Sequence, residues 1–213
     1  MFKGQKLALL VAALGSLAAA APIAISNPSF EILPATGLPL GCGPAFPGCA
    51  YSVGAIPGWT DSGDTGQWLI GGYVGDPPAT DGTYIAYTNN SSIYQLVGTA
   101  TAGETYTLNV DLLHRKDRPM TGVIQLEINN IVVATATGTD PGASAWSTWT
   151  AIYTATAADA GKGLTILLSA SAQQGDFDNV RLDGAAPIPE PASLALIGAG
   201  LVGLGALRLR LRR

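Results

Sequence analysis

Three aromatic residues, Trp59, Trp68 and Tyr73, lie close together in a stretch of the chain that also carries carboxylates and an amide. Flat aromatic faces stack on the C–H side of a pyranose ring, and planar polar groups hydrogen-bond its hydroxyls. The neighbouring polar residues are Asp61, Asp64, Gln67 and Asp76. This combination favours saccharide binding. The alternative is that the tryptophans belong to the core or anchor loops.

A second concentration of functional groups is the run His114-Arg115-Lys116-Asp117-Arg118. The planar fork of Arg115 can bind a pair of sugar hydroxyls or the carboxylate of an acidic saccharide. We place this run at a strand end or in a loop, because four consecutive charged side chains cannot enter a core unpaired. The alternative role of the run is to pair with nearby acids and solubilise a loop.

Sequence signatures of catalysis are missing. The chain has no G-x-S-x-G elbow, no H-E-x-x-H pair and no phosphate-binding glycine loop. A glycosidase needs two acids that face a cleft at a defined separation, and scattered turn aspartates do not establish such a pair. His114, the only histidine, has no identifiable nucleophile beside it. We therefore expect a protein that is not an enzyme and has no catalytic residues.

The elements that must position these groups have a sequence period of two rather than 3.6. Apolar and polar side chains alternate from 106 to 112 and from 124 to 128. Further strands are predicted at 84–88, 92–97, 131–137, 147–156, 164–170 and 177–182, separated by turn signals such as Asn129-Asn130. About eight short strands without a convincing helix predict an all-β protein, an antiparallel β-sandwich. Residues 32–81, rich in Gly, Pro and aromatic residues, are expected to form long loops over one rim.

Both ends of the chain carry targeting features. Lys3 and Lys6 precede an apolar segment that ends in Ala18-Ala19-Ala20, which predicts a signal peptide that signal peptidase removes after Ala20. At the other end, Pro189-Glu190-Pro191 precedes an apolar run and four terminal arginines. We expect this run to be a transmembrane helix whose C-terminal end lies in the cytoplasm. An ordinary membrane anchor is the alternative to a specific sorting signal.

The charge of the exported part excludes one class of partner. Six of the 11 basic residues lie in the two targeting segments, whereas all 15 acids lie between Glu31 and Glu190. The chain from Ala21 to Glu190 therefore carries five basic residues and 15 acids, a net charge of about −10. Such a surface repels the phosphate backbone, so nucleic acid is not an expected partner.

The two cysteines, Cys42 and Cys49, flank a short loop. Export brings them into an oxidising compartment, where a disulfide that closes this loop would stabilise the fold by roughly 2–3 kcal/mol. A catalytic or metal-binding pair is the alternative. It is disfavoured because no other cysteine and only one histidine could complete the site.

The C-terminal pattern resembles the PEP-CTERM sorting signal of exported bacterial proteins. The resemblance rests on residues 188–198, IPEPASLALIG, on the Gly- and Leu-rich run and on the basic end. It implies recognition by an exosortase and processing near Pro189-Glu190-Pro191, in a Gram-negative bacterium that makes exopolysaccharide. The protein would pass through the inner membrane to the cell surface or extracellular matrix. The predicted organisation is a signal peptide at 1–20, a β-sandwich domain at 21–187 and a sorting signal at 188–213.

Two motifs at the ends of the exported domain, together with the strand pattern, resemble galactose-binding-like jelly rolls, which occur in many carbohydrate-binding modules. The motifs are Asn27-Pro28-Ser29-Phe30-Glu31 and the segment 176–182, DFDNVRL. In that family the first and last strands are neighbours, so the resemblance implies that Glu31 and Asp178 meet at a structural calcium, an ion that prefers oxygen ligands. The alternative is that Asp178 organises a turn and Glu31 is a solvated acid.

Together these observations predict an exported, non-catalytic protein of the cell surface or biofilm matrix. The hypothesis is a carbohydrate-binding module that binds exopolysaccharide through Trp59, Trp68, Tyr73 and Arg115. The alternative is a structural or adhesive protein in which the sandwich is a stable spacer without specific glycan binding.

Overall fold

Strands of alternating polarity form two antiparallel sheets that pack face to face, which confirms the predicted β-sandwich. The structure, a computed structural model, describes residues 20–71, 73, 75–187 and 200. Its strands are β1 (Ala20–Ile23), β2 (Leu40–Gly41), β3 (Ala50–Tyr51), β4 (Thr60–Ser62), β5 (Thr65–Leu69), β6 (Ile85–Thr88), β7 (Ser92–Thr99), β8 (Thr105–His114), β9 (Gly122–Ile128), β10 (Ile131–Thr135), β11 (Ala145–Thr154), β12 (Gly163–Ala170) and β13 (Gly175–Ala185). A 3₁₀ turn, Ala157–Asp159, lies between β11 and β12.

The larger sheet has the strand order β11-β8-β13-β6-β5-β3-β2, and β1 also pairs with β13. The smaller sheet has the order β10-β9-β12-β7-β4. Asn129 and Asn130 join β9 to β10 and both have positive φ, as a tight two-residue hairpin requires. The first and last strands are neighbours, with Ala20 opposite Ala185. Residues 20–186 form one compact unit, whose two ends therefore lie side by side.

The inward faces of the two sheets share one apolar core. Leu108 and Leu112 of β8 are fully buried in it, and Leu126 of β9 packs into it from the smaller sheet. Phe30 and Trp59, which precede β4, complete this core from one side. Burial of each such side chain stabilises the fold by about 1.5–3 kcal/mol.

The expectation of long loops from 32 to 81 is wrong in part, because this stretch contains β2 to β5. β5 pairs with β6 in the larger sheet, and β3 and β2 extend that sheet further. The alternation is hidden from the sequence because Gly66 interrupts β5 and because β2 and β3 have two residues each. The predicted disulfide between Cys42 and Cys49 is present and closes the connection between β2 and β3.

These added strands build a second apolar layer on the outer face of the larger sheet. Its buried members are Cys49, Trp68, Ile70, Ile85, Tyr87 and Leu113. The disulfide and the rings of Phe46, Tyr51 and Tyr73 pack against them. The aromatic residues of 32–81 are thus assembled on a sheet face rather than scattered along a rim.

We expect Gly66→Ala to lower the free energy of unfolding by about 1–3 kcal/mol. A Cβ at this position would overlap the Ser52 carbonyl oxygen and the Tyr87 ring, so β3 and β6 would have to move apart. Denaturant unfolding of the purified protein measures the change. Gly71→Ala is the matched control, since a Cβ there meets no atom within 4 Å. Equal stability of the two variants would contradict this close approach.

Candidate ligand-binding cleft

A cleft of about 370 Å³ opens on the outer face of the larger sheet. Its aromatic lining comes from Tyr51 of β3, Trp68 of β5, Tyr87 of β6 and Tyr73 in the segment after β5. Tyr51 lies directly opposite Trp68 in the strand pairing, so the two side chains share one face of the sheet. The Tyr73 ring meets the Trp68 ring edge to face, with centroids 5.1 Å apart. The cleft therefore has a rigid aromatic wall.

Polar side chains reach the same cleft from three other segments. They are Asn89 after β6, Arg115 and Arg118 after β8, and Gln174 before β13. Gly41 and Cys42, next to the disulfide, form part of its edge. Amide and guanidinium groups thus face the same space as the aromatic rings, which is the usual composition of a small-molecule site.

Arg115 is only 5% exposed, although it lies in a run of charged residues at the end of β8. Its guanidinium stacks on the rings of Trp68 and Tyr73, at 4.7 and 5.1 Å from their centroids. Its Nε and Nη2 each donate a 2.9 Å hydrogen bond to the Asp117 carboxylate, and Nη1 donates to Gln174. Pairing makes this burial possible. Arg115 therefore forms part of the cleft wall, and its guanidinium donors already bind Asp117 and Gln174.

Asp76 is a buried carboxylate beside Arg115. Its Oδ1 accepts a 2.8 Å hydrogen bond from the Lys116 backbone N–H, and its Oδ2 lies 3.9 Å from Arg115 Nε. Oδ2 has no hydrogen-bond partner among the described residues. Burial raises the pKa of Asp76, and the Lys116 N–H and the charge of Arg115 oppose this effect.

Asp176 is a second buried carboxylate, 1% exposed, directly opposite Tyr87 in the pairing of β13 with β6. Its Oδ1 has no hydrogen-bond partner in the described part of the chain. Burial raises the pKa of Asp176 to about 7, and the nearby Arg115 opposes this effect. No role for Asp176 was predicted from the sequence, although strand alternation contains the signal. Phe177 belongs to the core, so its neighbour must face the side of the sheet that carries the cleft.

The structure brings together three of the four residues that were predicted to bind saccharide, namely Trp68, Tyr73 and Arg115. Trp59 is separate from them, because it is 6% exposed and packs in the core between the sheets. Its ring lies 5.5 Å from the Phe30 ring, and its indole N–H donates to the Asn27 carbonyl. The prediction that Trp59 shares their surface is therefore wrong, and its alternative role as a core residue holds.

Glu31 and Asp178, the predicted calcium ligands, both bind the segment 80–84. Glu31 Oε1 accepts hydrogen bonds from the backbone N–H groups of Thr83 and Tyr84. Asp178 Oδ2 accepts from the N–H groups of Thr80 and Asp81. Burial raises the pKa of Asp178 to about 6, and these hydrogen bonds oppose the shift. No group of three or more His, Cys, Asp or Glu side chains suited to a metal occurs in the described residues. Asp178 is fully buried, and its Oδ1 accepts a 2.7 Å hydrogen bond from the Asn179 N–H.

The family described as HpiC1-like, HpiC1 cyclase, matches residues 21–183. The chain belongs to the HpiC1-like family.

The PEP-CTERM protein-sorting motif matches residues 187–213, which confirms the predicted sorting signal. This motif implies exosortase-dependent export through a membrane-anchored intermediate in Gram-negative bacteria. Pro189, Glu190 and Pro191, the predicted transmembrane helix and most of the predicted signal peptide lie outside the described residues. Within the described ranges, no helix is long and apolar enough to span a membrane.

Two solved structures share the fold of the HpiC1-like domain, and a third is a weaker match. The Stig cyclase Fisc from Fischerella sp. TAU, in complex with (3Z)-3-(1-methyl-2-pyrrolidinylidene)-3H-indole, is 20% identical with a TM-score of 0.63 and covers 79% of this chain and 100% of its own. An apo cyclase from Fischerella sp. is 21% identical with a TM-score of 0.64, over 79% of this chain and 98% of its own. The CBM22-1 xylan-binding domain of Paenibacillus barcinonensis Xyn10C is 12% identical, with a TM-score of 0.49, over 80% of this chain and 99% of its own. No curated protein matches the chain.

We expect Asp176→Asn to change how stability depends on pH. The native carboxyl keeps its proton up to a pKa of about 7, whereas the unfolded carboxyl loses it near 3.8. The native state therefore binds more protons between these values, and wild-type stability falls as pH rises, by as much as about 4 kcal/mol. The asparagine variant lacks this loss, so its stability relative to wild type increases from pH 4 to pH 7.

Urea unfolding of both proteins across this pH range measures the effect. Asp178 titrates in the same range in both proteins, so its contribution cancels in the difference between them. Parallel stability curves for wild type and Asp176→Asn would contradict the raised pKa.

Proposed function

We propose that the exported domain is a non-catalytic carbohydrate-binding module associated with exopolysaccharide, and that it holds saccharide in the aromatic cleft. The observation that supports this proposal is the meeting of aromatic rings and planar polar groups in one cleft. Its volume of about 370 Å³ is in the range typical of small-molecule sites. The sorting motif adds support, because exosortase-dependent export would carry the domain toward extracellular polysaccharide.

The partly exposed rings of Tyr51 and Tyr73 would stack on the apolar face of a pyranose. Trp68 is 4% exposed, so it would support Tyr73 from behind rather than cover the sugar itself. The carbonyl oxygen of Asn89 and the NH₂ group of Gln174 would hydrogen-bond hydroxyls, since the Asn89 NH₂ group already donates to Asp64 and the Gln174 carbonyl oxygen already accepts from Arg115. Stacking is thus assigned to the exposed ring faces, and hydrogen bonding to the amide atoms that have no partner among the described residues.

Tyr51→Ala and Tyr73→Ala are each expected to weaken saccharide binding by about tenfold, because each removes a stacking face. Calorimetry with exopolysaccharide fragments from the source organism measures the change, using protein purified after export so that the disulfide forms. Tyr94→Ala is the matched control, because Tyr94 is exposed on the smaller sheet, away from the cleft. Equal affinities for all three variants would remove the cleft as the binding site. Failure of the folded wild-type protein to bind any fragment would favour the structural or adhesive role.

A second candidate function is cyclisation of a small aromatic substrate. Two observations favour it: the family description names a cyclase, and Asp176 is a buried acid behind the cleft residue Tyr87. In this role Asp176 would donate a proton to a substrate bound among the aromatic rings. The two functions differ in their ligand and in their dependence on this carboxyl. A carbohydrate-binding module keeps its saccharide affinity in Asp176→Asn, whereas a cyclase converts an indole substrate and loses that conversion in this variant.

We also propose that Glu31 and Asp178 bind a structural calcium. Calcium would then raise the melting temperature by several degrees, because it binds the folded state alone. Asp178→Asn should remove this calcium-dependent rise in melting temperature. Any loss of stability that the substitution itself causes is measured in chelator. Differential scanning calorimetry with calcium and with chelator separates the two effects. Asp61→Asn, a change on β4 in the other sheet, serves as the control. An identical rise in wild type and Asp178→Asn would exclude Asp178 as a ligand.

A further inference from the structure

The cleft concentrates positive charge on a domain that is acidic overall. The exported part has five basic residues, Arg115, Lys116, Arg118, Lys162 and Arg181, and a net charge of about −10. Two of these five, Arg115 and Arg118, line the cleft, and no carboxylate lines it among the described residues. Arg115 is paired with Asp117, so the positive field in the concave space comes from Arg118.

The two arginines differ in what they can offer a ligand. Arg115 is buried, and its guanidinium already binds Asp117 and Gln174. Arg118 is exposed at the cleft, and it makes no salt bridge or side-chain hydrogen bond within the part of the chain that the structure describes. Its five N–H donors therefore remain available, and a guanidinium matches a carboxylate bidentately.

The carboxylates behind the aromatic wall do not cancel this charge. Asp117 pairs with Arg115, so these two residues neutralise each other. Asp76 and Asp176 are buried and do not line the cleft. Asp76 Oδ1 accepts a hydrogen bond from the Lys116 N–H, and its Oδ2 lies 3.9 Å from Arg115 Nε. The charge of Arg118 is thus left to an anion that enters from solvent.

We propose that the cleft selects anionic saccharides, with Arg118 binding the carboxylate of a uronic acid unit while the aromatic wall stacks on the sugar ring. This inference rests on the proposed function, because it names the ligand class of the same cleft. Arg118 acts as the specificity residue and the aromatic wall provides affinity that is independent of charge. The acidic surface outside the cleft would repel the same polymer, so recognition would be confined to this point.

The test compares one uronic-acid-containing oligosaccharide with the same oligosaccharide after its carboxylates have been reduced to alcohols. Calorimetry at pH 6 with exported, purified protein should show binding of the acidic form that is about tenfold or more tighter. Arg118→Gln should remove this preference and leave the affinity for the reduced form unchanged. Lys162→Gln removes the same charge at an exposed position next to β12 and should keep the preference.

Three results would overturn the inference. Equal binding of the acidic and reduced forms by wild type would exclude selection for anions, yet leave the saccharide-binding function intact. Equal loss of preference in Arg118→Gln and Lys162→Gln would assign the effect to overall charge rather than to Arg118. Absence of binding to both forms, with circular dichroism showing a folded protein, would refute the proposed function together with this inference.

Discussion

The burial of one guanidinium holds the cleft together. Arg115 lies against the rings of Trp68 and Tyr73, and its donors are taken by Asp117 and Gln174. A charge in this position is tolerated only when it is paired and hydrogen-bonded, because desolvation costs several kcal/mol. The four partners come from the end of β5, the segment after β5, the segment after β8 and the approach to β13. A single stacked and paired group therefore ties β5 and the segment after it, the segment after β8 and the approach to β13 into one wall.

The last strand, β13, connects the cleft wall to the core. Phe177 of β13 is fully buried between the sheets, while Asp176 and Asp178 on either side of it face outward. The pairing register shifts between Asp178 and Arg181, where Asn179 has a positive φ of 50°. This irregularity keeps Val180 in the core while Asp178 turns to the segment 80–84. One strand thus positions a core residue, the acid behind the cleft and the acid that binds the neighbouring segment.

Family membership and export describe different aspects of this protein. The HpiC1-like match covers the sandwich, and the sorting motif covers the C-terminal end that follows it. At 20–21% identity, the Fischerella cyclases show that the sandwich is a shared scaffold. Function on such a scaffold depends on the groups placed in its clefts. Here those groups are an aromatic wall, two amides, the paired guanidinium of Arg115 and the guanidinium of Arg118, which has no partner among the described residues.

The sequence alone determined the features that depend on local pattern. Alternation of polarity predicted the eight longer strands from 84 onward, the Asn129-Asn130 hairpin followed from turn chemistry, and export with two nearby cysteines predicted the disulfide. The sorting signal was also readable, because exosortase recognition depends on a short contiguous segment.

Features that depend on contacts between distant segments became apparent in the folded protein and could not be predicted from the sequence. Arg115 reads as a solvated charge in the sequence, but it is buried by rings and acceptors that lie up to 59 residues away. Trp59 and Trp68 look equivalent in the sequence, yet one fills the core and the other the outer face. Asp176 acquires its raised pKa from burial behind a wall that the chain builds from other strands. Periodicity specifies which side of a strand a residue occupies, whereas packing decides what covers that side and so which groups stay free for a ligand.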